Sequence, residues 1–351
     1  MSNTIQYKIF VSGNAPKEFP TETFYGLLYY GDNDHNVIEI PQLYPFSGEW
    51  GEPLSTHILL NRNEFPLPEV LEMVWLSIVE AQFYSIETIL PKLYLEEMWQ
   101  KSKDGYSIYD HIVVGMAPKG YVALWIWGLD KSDVIGWYKA DSIVVPMELF
   151  LPNHPELELE EYCKKYIESL DGTIGAGGLE VSFTALMQQF TYRYQLLFEK
   201  WDDGEEVKWQ KYKEDDKQIP EFEYIEESLY DGTHDKLHDD GLLKYHEAGK
   251  PKKLAIKWHI KKSEYTAYFW FEDERICTIF ERFYGAHPET KTDFIIHIDA
   301  EQKKYELALF RQGLKEPQII PEDAYQLLVF KNKFEHYRSD NYNQERGAWV
   351  W

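Results

Sequence analysis

The residues best spaced for chemistry lie in the stretch Asp231–His246, DGTHDKLHDDGLLKYH. On a helix, His234 and His238 would share one face, and Asp231, Asp235, Asp239, Asp240 and His246 accompany them. Imidazole and carboxylate together suit zinc or another divalent ion. The run is bounded by Asp-Gly and Asp-Asp-Gly, however, which is turn chemistry. A solvated hairpin loop is therefore the stronger reading, and no metal is assigned. His234, His238, Asp235 and Asp239 are the candidate ligands if an ion binds.

Other chemical signatures are fainter. The run GTIGAGG, Gly172–Gly178, has the glycine content of a phosphate loop. A phosphate loop should follow a strand, open a helix and carry Lys-Ser/Thr. This one follows an expected helix and lacks that dipeptide, so it reads as a connector. No GxSxG, HExxH or Cys–His nucleophile context is present. Glu80 and Glu264 fall near equivalent places in two related stretches described below, at expected turns or strand ends, and neither is assigned catalysis. Aromatic residues in Tyr-, Trp- and Asn-bearing loops suit sugars or protein, with core and edge packing the default. No catalytic residue and no cofactor is assigned.

The totals bound the partners. The chain has 351 residues, 16% aromatic, with formal net charge −24. That length is ample for a proper core. The charge argues against nucleic acid, whose phosphates are held by Lys and Arg. It fits a basic protein partner, or simply solubility. Cys163 and Cys277 occupy apolar positions of expected helices, without a CxxC or Cys/His cluster, which argues against disulfides and zinc knuckles. The opening MSNTIQYKIFVSG has no basic and apolar signal pattern and no lipidation cysteine, and no apolar run reaches about 18 residues. The expectation is a soluble, cytoplasmic protein with no membrane partner.

The elements that must carry these residues form an α+β pattern. Leu71–Leu129 reads strand, strand, helix, strand, strand, and a similar order returns at Leu254–Leu314. Leu71, Met73 and Trp75 fall on Leu254, Ile256 and Trp258; Ile112–Met116 on Phe294–Ile298; Tyr121 on Tyr305; Gly128-Leu129 on Gly313-Leu314. The expected fold is two such units with antiparallel sheets and helices between them. The first opening strand is apolar at both parities, so its sheet should be covered on two sides. In the second, Leu254, Ile256, Trp258 and Ile260 alternate with Ala255, Lys257, His259 and Lys261, so one side should be half-exposed.

Upstream, Tyr7–Val11, Thr23–Tyr30 and Val37–Ile40 read as strands, with GDNDHN as a hairpin turn. Pro41–Leu67 reads as an ordered loop. Between the units, Pro155–Leu170 and Val181–Trp201 both carry an apolar helical stripe, and should pack on the first sheet or bridge the halves. Asp202–Lys217 reads as a charged linker. Glu221–Tyr230 and Leu242–Tyr245 read as strands flanking the His/Asp loop. Pro321–Arg338 reads as a terminal helix, with a strand at Ala324–Phe330 as the competing assignment, and Trp349 and Trp351 should dock on the body. The resulting division is residues 1–153 as the first α+β unit, 154–217 as helical connector and linker, and 218–351 as the second unit.

Several segments resemble the bacterial family DUF2931. They are Ala15–Pro20 with Gly26–Gly31; the pair Trp50-Gly51; Trp75, Ser77, Glu80, Phe83 and Tyr84; and Gly115, Pro118, Gly120, Val122, Ala123 and Trp125. The likeness covers roughly the first half, and the remainder is similar to the C-terminal region of long Bacteroides-type members. The resemblance implies no established activity. Many members look like secreted lipoproteins, and this chain departs from them in lacking the signal and lipobox. Small proteins of this kind often occur beside secreted antibacterial toxins, which implies an immunity role. The expected function is thus a non-catalytic cytoplasmic module that binds protein, an immunity protein neutralising a basic cognate toxin of type VI secretion. The alternative is an enzyme or small-ligand binder with its site at the junction of the two repeats; a third possibility is a structural subunit.

Overall fold

Period-two alternation of apolar and polar side chains runs through most of the chain, and strands dominate the fold. The computed structural model describes residues 7–31, 36–41, 47–54, 64–100, 109–169, 187–199, 206–208, 221–242, 244–260, 263–299, 301–333 and 335–338. They divide into two units, residues 1–183 with Asp231–Thr233, and residues 184–230 with 234–351. The class is α+β, mostly β, with several antiparallel sheets.

In the first unit the elements are β1 (Tyr7–Lys8), β2 (Phe10–Asn14), β3 (Thr21–Tyr29), β4 (Val37–Glu39), β5 (Glu64–Phe65), β6 (Val70–Ser77), β7 (Gln82–Ile89), α1 (Lys92–Gln100), β8 (Tyr109–Ala117), β9 (Tyr121–Gly128), β10 (Ser132–Lys139), β11 (Asp141–Ile143), α2 (Met147–Phe150) and α3 (Leu159–Ser169). One sheet has the order β11-β7-β6-β3-β4 and is antiparallel throughout; the other is β10-β9-β8-β2, with β2 parallel to β8. Leu71, Met73 and Trp75 from β6 pack with Ile112, Val114 and Met116 from β8, Val122, Leu124 and Ile126 from β9, and Leu95, Met98 and Trp99 from α1. The opposite parity of β6, Val74 and Leu76, is also buried, with Ile78 and Phe83. Its cover is α3, whose Leu159, Tyr162, Cys163, Tyr166 and Ile167 form one helical stripe. The helix expected at Pro155–Leu170 therefore forms and covers the first sheet as its periodicity requires. Glu160 and Glu161 in its first turn complement the helix dipole.

In the second unit the elements are β12 (Phe190–Glu199), β13 (Glu206–Lys208), β14 (Glu221–Leu229), β15 (His234–Leu237), α4 (Asp239–Leu242), β16 (His246–Ala248), β17 (Pro251–Ile260), β18 (Ser263–Phe271), α5 (Asp273–Tyr284), β19 (Thr292–Ile298), β20 (Tyr305–Arg311), β21 (Gln318–Ile320), β22 (Tyr325–Lys333) and β23 (Glu335–Arg338). One sheet is β15-β14-β17-β18-β22-β23, and the other β13-β12-β19-β20-β21, with β12 parallel to β19. Leu254, Ile256, Trp258, Ala267, Phe269, Phe294, Ile296 and Ile298 share a core with Ile276, Phe280 and Tyr284 of α5.

Several expectations are corrected. The helix expected at Val181–Trp201 is, over its described part, strand β12. Its Tyr192, Tyr194, Leu196 and Phe198 are buried at period two and align along β19. The same aromatic-rich run satisfies a helical stripe, and pairing of its backbone with a central strand decides between the periods. The terminal helix expected at Pro321–Arg338 is a 3₁₀ turn, Glu322–Ala324, followed by β22 and β23. The competing strand is the one that forms, because β22 satisfies the open edge of β18. Within the expected His/Asp loop, His234–Leu237 pairs with β14 as a strand, while of the strand expected at 242–245 Leu242 ends α4 and Lys244 and Tyr245 are not extended in a sheet. Of the stretch expected as a connector, α3 packs in the first unit and β12 in a sheet of the second. Residues 171–178, most of 202–217 and 339–351 lie outside the described residues, so the glycine-rich connector, most of the charged linker and the docking of Trp349 and Trp351 fall there.

Candidate functional site

Strand β15 carries His234 and Asp235, two of the candidate ligands in a stretch to which no metal is assigned. Neighbouring residues on a strand point to opposite faces, and residues four apart are separated by about 13 Å rather than one helical turn. His234 and Asp235 thus diverge, and His234 and His238 do not converge. His238 Nδ1–H donates to the Glu223 carbonyl at 2.9 Å, and Asp235 Oδ1 accepts the Lys236 amide at 2.8 Å. Asp239 opens the single-turn α4. The Asp231 carboxylate accepts from the Thr233 amide at 3.0 Å and from its hydroxyl at 2.6 Å, as a turn residue does.

A different set converges on the outward side of the second unit's six-stranded sheet. Glu223 is the extra residue of a bulge between Phe222 and Tyr224, opposite β17. A bulge re-aims its side chain, and the Glu223 carboxylate turns toward His259, with Oε2 2.7 Å from Nε2. Lys257 Nζ lies 3.2 Å from Glu223 and 3.1 Å from Glu264. Glu223, His259 and Glu264 have ligand atoms within 4.8 Å of one another, a set that could hold a metal ion. The Lys257 ammonium stands between the two carboxylates, so the cluster supplies its own cation. These contacts have opposite effects on its members. Burial alone would raise the Glu223 carboxyl, but His259 and Lys257 hold it below the usual range. Burial alone would lower Lys257, but Glu264 and Glu223 raise it.

A second group is buried. Tyr194 donates to Glu227 at 2.5 Å, and His246 Nε2 lies 3.5 Å from the other Glu227 oxygen. Desolvation pushes Tyr194 well above its ordinary value, with the Glu227 charge adding to it. For His246, burial works against the charged form, yet the Glu227 carboxylate prevails and its net shift is upward. The tyrosine hydroxyl and the imidazole are the partners of a buried carboxylate, as burial of a carboxylate requires. The thiol of Cys163, in the helix expected for it, is pushed up to about 12 by burial, with nearby Glu22 adding to the shift, and is not a ready nucleophile.

The signature residues of the first unit are scaffold. Trp75 and Tyr84 pair across β6 and β7 with ring centroids 5.6 Å apart. Glu80, in the turn between those strands, accepts from the Tyr84 hydroxyl at 3.1 Å and from the Lys119 amide at 2.9 Å, tying two turns together. Glu264, its counterpart in the sequence comparison, instead pairs with Lys257. Gly115 lies beneath Trp125 and Trp50; a Cβ there would come within 2.4 Å of the Trp125 ring. Gly120 has φ +72°, and a Cβ would meet the Ala140 carbonyl at 2.7 Å. Trp50 stands edge-on to Trp125 at 4.7 Å, and Trp125 Nε1–H donates to the Asp231 carbonyl at 3.0 Å. The loop carrying Trp50 is pinned by Asn14, a buried side chain that no sequence motif marked. Its amide donates to the carbonyls of Glu49 and Glu52, and its oxygen accepts from Gly51.

No curated protein and no solved structure matches the chain. A family described as "Protein of unknown function (DUF2931)" matches residues 7–173 of the 351. Within that span Trp50, Trp75, Gly115 and Trp125 build the buried framework described above. The match over residues 7–173 is to the same DUF2931 family that the sequence resembles.

Proposed function

We propose that the protein is a non-catalytic protein-binding module of the cytoplasm, an immunity protein that neutralises a basic antibacterial toxin of type VI secretion. The observation that carries this reading is the formal net charge of −24. An acidic molecule attracts a basic partner over several ångströms and speeds encounter, while packing at the interface sets the final affinity. The placement of the signature residues supports it too, since Trp75, Gly115, Gly120 and Trp125 serve the core.

Duplication of one unit belongs to the same proposal. The strand order β4-β3-β6-β7-β11 corresponds to β15-β14-β17-β18-β22, and β2-β8-β9-β10 to β12-β19-β20-β21, each with its parallel pair in the same place. Trp75 and Trp258 occupy corresponding positions beside a bulge, at Thr23/Tyr25 and at Phe222/Tyr224. A duplicated scaffold offers two sets of surfaces on one framework.

Co-expression with the product of the adjacent gene tests the function. The expected result is a complex stable to gel filtration and rescue of cells from that product's toxicity. Absence of both complex and rescue overturns the proposal.

A further inference from the structure

The half of the first unit's five-stranded sheet that α3 leaves open is ordered in rows. Pairing registers place Val37, Tyr29, Val70 and Ile89 side by side across β4, β3, β6 and β7. The next row is Glu39, Leu27, Glu72 and Glu87. The third is Tyr25, Val74, Ser85 and Asp141, across β3, β6, β7 and β11. This row is the border of the open half: Val74 is already buried with Leu76 and Phe83 under the α3 cover, and Tyr25 packs against its edge. The outward side thus carries an apolar row, an acidic row and a mixed row, and bears no lysine or arginine at these positions.

The acidic row is costly. Glu72 and Glu87 are direct cross-strand partners, and like charges in that position destabilise a sheet. Glu72 accepts from the hydroxyls of Tyr25 at 3.0 Å and Tyr29 at 2.7 Å, which aims both rings along the same face. Lys92, at the start of α1, is engaged by Glu69 at 2.6 Å. The corresponding side of the second unit is arranged differently: there Lys257 stands between Glu223 and Glu264, and Lys236 and Lys253 lie over tyrosine rings. Ile89, in the row next to the acids of the first unit, and Leu93, in the helix that follows β7, are apolar side chains held in water. Ile89 is 80% exposed, and Leu93, in the first turn of α1, is 82% exposed. Exposed aliphatic and half-buried tyrosine side chains beside charge of one sign are the anatomy of a protein interface.

We propose that this open half-sheet, centred on Tyr25, Tyr29, Glu72, Glu87 and Ile89, is the docking surface for a cationic protein surface. The partner presents Lys or Arg to the acidic row and aliphatic side chains to Ile89 and Leu93. The proposal rests on the protein-binding reading above and names its surface. A guanidinium or ammonium seated between Glu72 and Glu87 replaces a repulsion with two charge-assisted hydrogen bonds.

The probe is a synthetic peptide alternating Leu with Lys, titrated calorimetrically at low salt, with its Leu/Glu counterpart as control. For Glu72→Gln/Glu87→Gln, the affinity falls about tenfold, as loss of a central charged anchor does. Ile89→Ala/Leu93→Ala weakens it as well. Glu156→Gln/Glu160→Gln removes the same charge near and on α3 and leaves affinity unchanged. An unlowered melting temperature of Glu72→Gln/Glu87→Gln shows that it folds. Equal weakening in both Gln pairs, or none in the sheet pair, overturns the proposal. The complex with the adjacent-gene product separates the two readings. A complex indifferent to the sheet variants removes this surface and leaves the function standing. No complex, with peptide binding still dependent on Glu72 and Glu87, removes the toxin reading and leaves the surface.

Discussion

Single side chains decide how this protein disposes of buried charge. His246 is held with a raised pKa by Glu227 against the opposing effect of burial. A group raised in the folded state above its unfolded value of about 6.5 stabilises fully below that pH, and the contribution is lost as pH rises through the folded value. The midpoint of urea unfolding should therefore fall as pH rises above about 6.5, and His246→Gln should flatten that slope; an unchanged slope would count against the pairing. Tyr194→Phe removes one of two partners of Glu227 and should cost about 1–3 kcal/mol, read as a lower urea midpoint at constant slope. On the outward side, Lys257 separates Glu223 from Glu264. Lys257→Met should destabilise by about 1 kcal/mol, since the network is partly exposed and screened. It also vacates the place a divalent ion would take. Zinc should raise the melting temperature of Lys257→Met and leave that of the native protein alone; an equal shift in both would show that the ammonium does not occupy the site.

At the scale of elements, cover and close approach do the work. Helix α3 is tied down by the Tyr162 hydroxyl, 2.5 Å from Glu22, whose carboxyl is raised by burial against the effect of that hydrogen bond. Tyr162→Phe should cost about 1 kcal/mol at neutral pH and less in acid, where Glu22 is protonated and the bond weaker. Comparing urea midpoints at the two pH values checks it, and a pH-independent cost would assign the loss to packing instead. Gly115→Ala drives a Cβ into the rings of Trp125 and Trp50. Overpacking of this kind costs about 1–3 kcal/mol and should shift tryptophan emission along with the melting curve. The residues around Glu80 and Gly120 stood out in the sequence as a motif, and their part is to lock turns. Asn14 did not stand out, because one asparagine in a strand carries no pattern; its value comes from a loop some 35 residues away.

For the whole molecule, a net charge of −24 on 351 residues means self-repulsion that salt relieves. Added sodium chloride should raise thermal stability while slowing association with a basic partner, two opposite salt effects on one protein. The order of strands and helices in Leu71–Leu129 and Leu254–Leu314 was legible from the sequence, because alternation and helical stripes are local consequences of which face is buried. So was the two-sided cover of β6, since Val74 and Leu76 are apolar where a half-exposed strand would be polar. Phe190–Glu199 and Tyr325–Lys333 were not legible in that way. Their aromatic spacing satisfies both periods, and only a neighbouring strand with unpaired backbone groups, β19 or β18, selects the extended form. The chemistry of the His/Asp stretch depended on that same choice, because one backbone period gathers His234 and His238 and the other separates them. The sequence by itself determined acidity, strand-rich order and the framework of buried tryptophans, all of which follow from composition and local spacing. Tertiary structure alone decided which carboxylates meet a cation and which face one another across a strand pair, because cross-strand register joins residues that are distant in the chain.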